Sequence, residues 1–128
     1  AYSLEWVESI GGIPGVIQKV DQNYQILKSW VETSSWIRFL APTEEIRSKL
    51  AVTLVPQSHQ FLEMSSQEKW AKITQFCEIL ATERVAYDIK GHAQAIPCIR
   101  IWCGPTVEAC DIANLLPWLD YAAEKVGL

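Results

Sequence analysis

Arg100 sits in the run Ile99-Arg100-Ile101-Trp102, a guanidinium among apolar neighbours in a segment that reads as a short strand. Burying a cation without an anion is costly. Three arrangements relieve that cost: an internal ion pair with an Asp or Glu, an edge position with the head in water, or a bidentate grip on a ligand. The last suits the planar guanidinium fork, and the ligand group would be a carboxylate or a phosphate. Residue type and spacing leave all three open. Ser58-His59 places a hydroxyl beside an imidazole, but in a polar connection, and adjacency in sequence is no measure of nucleophile–base geometry. Glu44-Glu45 reads as a solvated turn rather than a pair of catalytic acids. No glycine-rich phosphate loop follows a strand, because Gly11-Gly12 falls between two helical segments. Cys77, Cys98, Cys103 and Cys110 form no paired metal-ligand spacing, and His59 and His92 are the two histidines that could join them. They read as reduced thiols, mostly buried small hydrophobes, with no metal expected. These residues do not compose a self-sufficient active site.

The elements that must carry Arg100 can be read from periodicity. Tyr2 to Ile10 reads as helix without a preceding cap, as the end of a helix entering from another domain would, and Gly11-Gly12 breaks it. Pro14 opens a second helix, with Ile17, Val20, Tyr24, Leu27 and Val31 on one side over about five turns. Trp36 to Leu40 is a short strand closed by Pro42. Lys49 to Val55 is another, stopped by Pro56. Gln57 to Met64 is a polar connection. Ser65 with Glu68 three residues on is a capping-box signature. The helix behind it, carrying Trp70, Ile73, Cys77 and Leu80, is expected to run to about Thr82. Val85 to Ile89 is a weak strand, 91–97 a loop, and Cys98 to Trp102 the strand expected at the sheet centre. Thr106 is the expected N-cap of a last helix carrying Ile112, Leu115, Leu119 and Val126, with Pro117 kinking or dividing it. This order predicts one α+β domain over residues 1–128: a small, mainly antiparallel sheet covered on one face by amphipathic helices.

Bulk properties exclude other classes. The 128 residues suffice for one hydrophobic core. With 49% hydrophobic and 20% charged residues the composition is that of a soluble globular domain. A net charge of −4 and scattered basic residues argue against nucleic-acid binding. No apolar run is long enough to cross a bilayer and no leader pattern is evident, so a cytoplasmic domain is expected. Six tryptophans are many for this length. Trp6, Trp30 and Trp102 are candidates for a surface that docks on another domain, with core burial the alternative for each.

Several segments, in order and with family-like spacing, resemble phosphoserine aminotransferases of the alphaproteobacterial type. Leu4-Glu5-Trp6-Val7-Glu8-Ser9-Ile10-Gly11-Gly12 is similar to that family's W-A-E-S-I-G-G segment. Arg47-Ser48 leading into Leu50-Ala51-Val52 is similar to its R-S-N-T-S-V strand, and Val85-Ala86-Tyr87-Asp88-Ile89 matches V-A-Y-D-I. From Ile99 to Asp120 the chain carries Ile-Arg-Ile-Trp-Cys-Gly, Thr-Val-Glu and Pro-Trp-Leu-Asp in succession. The resemblance implies the small C-terminal domain of a fold-type I, class V transaminase that uses pyridoxal phosphate. Such an enzyme exchanges an amino group between glutamate and 3-phosphohydroxypyruvate in serine biosynthesis.

By the same resemblance Arg100 is the residue that holds the substrate's α-carboxylate. Many members carry Gly-His-Arg in the preceding loop, where it helps hold the substrate phosphate. Gly91-His92-Ala93 keeps the histidine and lacks the arginine, making His92 a second candidate substrate contact. None of Lys19, Lys28, Lys49, Lys69, Lys72, Lys90 or Lys125 lies in the family's Schiff-base motif. The chain is therefore expected to hold no cofactor and to be inactive alone. Its implied partners are the cofactor-binding large domain of the same protein, a second copy in a homodimer, and a small phosphorylated amino or keto acid. Two alternatives remain: the small domain of another class V aminotransferase, favoured by Ala93, and a free-standing α+β interaction domain.

Overall fold

The computed structural model describes residues 12–41, 43, 49–86, 89–91 and 96–128. The helix expected at Tyr2–Ile10, Trp6 and His92 lie outside them.

Helix α1, Gly12–Thr33, is closer to six turns than five. Of the predicted stripe it buries Tyr24, Leu27 and Val31, with Asn23 alongside them, while Val20 is half-buried and Ile17, in the first turns, is exposed. Strand β1, Ile37–Phe39, follows, then β2, Ala51–Pro56. Pro56 is the last residue of β2, opposite Ile37, and the Gln57 N–H beyond it still donates to the Trp36 carbonyl at 2.7 Å, so Pro56 sits where the ladder with β1 asks for no N–H. The connection read as irregular contains a one-turn helix, α2, His59–Leu62, whose first turn is capped by the Ser58 hydroxyl. Helix α3, Ser66–Thr82, ends where periodicity places it. Its cap is formed as read: Ser65 Oγ accepts from the Glu68 N–H at 3.2 Å and lies 3.1 Å from the Glu68 carboxylate.

Strand β3, Ile99–Trp102, leads through a turn into α4, Ala109–Val126. Glu108, rather than Thr106, occupies the N-cap position, without a side-chain capping bond. Pro117 lies within a single helical assignment instead of dividing it. The carbonyl it deprives of a partner is that of Ala113, and both residues are exposed, so water can meet that carbonyl.

Among the described residues the sheet has three antiparallel strands in the order β1-β2-β3. β2 is therefore central, not β3. β3 does have a second neighbour: Lys90 bridges to Ile99, the Arg100 N–H donates to the Ile89 carbonyl at 2.7 Å, and the Gly91 N–H to the Cys98 carbonyl at 3.0 Å. Of the strand expected at Val85–Ile89, Ile89 takes part in this pairing, Val85 and Ala86 are not in a strand, and Tyr87 and Asp88 lie outside the described residues. Both long strands are apolar, so composition alone could not order them; the register could.

Alternation along the strands gives the sheet two unlike faces. Ile37, Phe39, Val52, Leu54, Ile99 and Ile101 are buried and belong with Tyr24, Ile73, Phe76, Ile112 and Leu119 to one core cluster. Helix α4 packs against both α1 and α3. The opposite face carries Arg38, Thr53, Val55, Arg100 and Trp102. The molecule is the α+β layer that the sequence predicts.

Candidate functional site

Arg100 stands on the open face of β3, opposite Thr53 of β2. Ile99 and Ile101, on either side of it, turn into the core at 1% exposure each. The strand is thus fixed by its neighbours, and Arg100 is left half-buried rather than entombed. It lines a pocket of about 460 Å³ at the outer edge of β3, with Trp102, Val107, Asp111 and Leu115 among the other walls. One cation and one carboxylate in a largely apolar recess is an arrangement suited to orienting a small polar ligand.

Two features shape this edge. A Cβ on Gly91 would collide with the Cys98 sulfur and crowd its carbonyl, so glycine is what allows the chain entering the loop to lie against β3. On the far side Asn23, the one buried polar side chain among the described residues, donates to the carbonyls of Cys103, Gly104 and Val107 at 3.3, 3.2 and 2.9 Å. It pins the turn that follows Trp102 onto α1. Asn23 escaped sequence reasoning although the signal was there: it lies four residues before Leu27, on the buried stripe.

A second anchor joins distant segments. Asp120 of α4 accepts the Trp36 indole N–H at 2.8 Å and the Trp30 indole N–H at 3.1 Å. The two rings meet edge to face, with centroids 5.9 Å apart. Trp30 is therefore half-buried and bonded, not a free docking residue. Trp102 is the reverse, 53% exposed. Ile13, Ile17 and Leu50 are exposed as well, and ties within the chain bring them towards Trp102. Lys49 pairs with Asp21, one turn beyond Ile17, while the Cys103 N–H donates to the Leu50 carbonyl.

All four cysteines are free. Burial pushes the Cys77 thiol up to about 11 and the Cys103 thiol up to about 12. Cys98 is also raised by burial, with the Arg100 charge pulling the other way. Cys98 and Cys103 are buried, as read from the sequence, whereas Cys77 is half-buried and Cys110 exposed. Thiols held protonated are poor nucleophiles and ligands, and no cluster of three His, Cys, Asp or Glu that could hold a metal occurs among the described residues. Ser58 and His59 are taken by structure: the hydroxyl caps α2 and the ring pairs with Glu63 at 2.9 Å.

A cofactor carried as a Schiff base needs a lysine in a recess. Lys19 pairs with Glu108, Lys49 with Asp21, and Lys72 donates to the Val126 carbonyl. Lys69, Lys90 and Lys125 lie over the rings of Phe61, Trp70 and Tyr121. Among the described residues no lysine lines the Arg100 pocket. Among the described residues the Arg100 pocket thus offers no amine that could hold pyridoxal phosphate as a Schiff base.

The fold superposes on part of phosphoserine aminotransferase from Bacillus circulans subsp. alkalophilus with a TM-score of 0.67 at 19% identity, covering 94% of this chain and 30% of that one. A structure recording radiation damage of the Schiff base in phosphoserine aminotransferase gives the same score at 18% identity and the same coverage. Sequence carries the relationship further. Over 124 residues, 97% of the chain, it is 35% identical to the phosphoserine aminotransferase of Methanosarcina mazei and 36% identical to that of Methanosarcina barkeri. The resemblance read from the motifs is to this family, and the chain matches a segment of it along nearly its whole length. It spans 31% of the length of each of these two relatives. No protein-family model matches the chain. Among the described residues no helix is long and apolar enough to cross a membrane.

Proposed function

We propose that this chain is the C-terminal, substrate-clamping domain of a phosphoserine transaminase, inactive alone, with Arg100 holding the substrate's α-carboxylate. The observation that carries this reading is the placement of Arg100, within its Ile-Arg-Ile-Trp motif, on the open face of the sheet in a chain otherwise similar to that enzyme. Two core-facing neighbours fix the strand that carries Arg100, and a guanidinium placed there is suited to meet a carboxylate with two parallel N–H donors. His92 is the second proposed contact, towards the phosphate. Pyridoxal phosphate, bound by the large domain, would supply the electron sink for amino-group exchange. The same reading makes the whole protein a cytoplasmic homodimer acting in serine biosynthesis. Trp102, Ile13 and Ile17, exposed at 53, 66 and 64%, are the apolar residues proposed to meet the large domain.

The test uses the whole protein loaded with its cofactor. Arg100→Lys keeps the charge and removes the fork. It is expected to lower kcat/KM for phosphoserine by about 10–100-fold, the value of a charge-assisted hydrogen bond. Unchanged kinetics would sink the assignment. A second reading, another class V aminotransferase, is favoured by Ala93 in the loop. Phosphoserine and serine transaminated at equal rates by the whole protein would select it.

A further inference from the structure

On the same open face as Arg100, across β2 and two residues along it, Arg38 projects from β1 opposite Val55. It lines a separate recess of about 240 Å³. Val55 and Pro56 form the sheet side, and Ser66 and Lys69 stand on α3. Ile96 and Pro97 line it as well. Three residues apart on a helix, Ser66 and Lys69 present a hydroxyl and an ammonium on one side. Lys69 Nζ lies 5.5 Å from the centre of the Phe61 ring, which also lines the recess.

The balance of charge is one-sided. Among the described residues neither Arg38 nor Lys69 makes an ion pair, and no Asp or Glu lines the recess. The acids beside Ser66 and Lys69 in sequence have other partners, Glu63 pairing with His59 and Glu68 accepting from the Ser65 hydroxyl. Arg38 gives one guanidinium hydrogen bond, from Nη1 to the Phe39 carbonyl at 3.1 Å. That bond steadies the group and leaves its other N–H donors over. Two cations and a hydroxyl from β1 and α3, lining one recess too small for a drug-sized ligand, are suited to one compact oxyanion.

The geometry points to an anion site at Arg38, Ser66 and Lys69 that takes a phosphate group, free or as a monoester. Arg38 supplies planar paired donors, Lys69 a point charge and Ser66 a hydroxyl donor. The site shares no lining residue with the Arg100 pocket, and it does not depend on the transaminase assignment.

The 128-residue chain, isotope-labelled, would be titrated with inorganic phosphate and, separately, with phosphoserine, against sodium chloride at matched ionic strength. Saturable shifts at the Arg38 Nε–H and the Ser66 and Lys69 amides, with millimolar affinity, are expected. Arg38→Gln should weaken binding about tenfold or more, and Arg100→Gln should leave the phosphate shifts in place. Saturation by both ligands assigns a general phosphate site; preference for phosphoserine assigns a monoester site. Three results overturn the proposal: no saturation at tens of millimolar phosphate, the same shifts with chloride, or phosphate shifts confined to the Arg100 pocket. Lys69→Gln, on the surface of α3, is the second variant if Arg38→Gln does not fold, and it too must weaken binding.

Discussion

Leu54 and Thr53 are adjacent on β2, yet they belong to two different economies. Leu54 faces the helices with no exposed surface, while Thr53 faces out beside Arg100. Every strand repeats the contrast, Phe39 against Arg38 and Ile101 against Trp102. One face of the sheet holds the domain together and the other is left for chemistry. The period of two separates these tasks residue by residue, so the open face can vary its polar groups without disturbing the core.

That separation can be broken at its strongest point. Leu54→Ala removes a fully buried side chain from the central strand and is expected to cost about 2–5 kcal/mol. Thr53→Ala next to it should cost within about 0.5 kcal/mol, as surface changes do. Urea unfolding of both variants measures the gap, and equal costs would dissolve the two-face description. A finer probe is Cys103, whose thiol is buried and pushed from 9.0 to about 12. The unfolded thiol ionises near 9.0 and the folded one does not, so this contribution is whole below 9.0 and is lost as the pH rises towards 12. Against Cys103→Ala, the native chain should lose up to about 1 kcal/mol more per pH unit in that interval. Parallel alkaline profiles would mean that the thiol is hydrated. The smallest effect belongs to the open face: Arg100→Gln should change stability by less than about 1 kcal/mol. A larger loss, read from the same urea curves, would make Arg100 a structural residue.

The sequence was most legible where structure is decided locally. Ser65 and Glu68 announced the start of α3 because a cap is made by residues three apart. The Tyr24-Leu27-Val31 stripe announced the buried side of α1 for a similar reason. Arg100 could be singled out because one charge interrupts an apolar strand. What escaped depends on partners far along the chain. That β2 rather than β3 is central follows from pairings across more than forty residues, and both strands look alike in isolation. Asp120 reads as the polar end of a helical motif until α1 and β1 bring two indoles to it. Of the strand expected at 85–89, Val85 and Ala86 are not in a strand, and the pairing with β3 runs instead through Ile89 to Gly91, which the close packing of Gly91 on Cys98 permits.

One contact has a consequence for association. The Trp102 ring lies against Gly104 so closely that any Cβ there would strike it. An exposed indole held down on its own backbone has few rotamers to lose. Ordering such a side chain on binding ordinarily costs about 0.5–1.5 kcal/mol, and the contact with Gly104 lowers that cost. The side-chain-free face of Gly104 thus gives the exposed indole of Trp102 a surface to rest on before any partner is met.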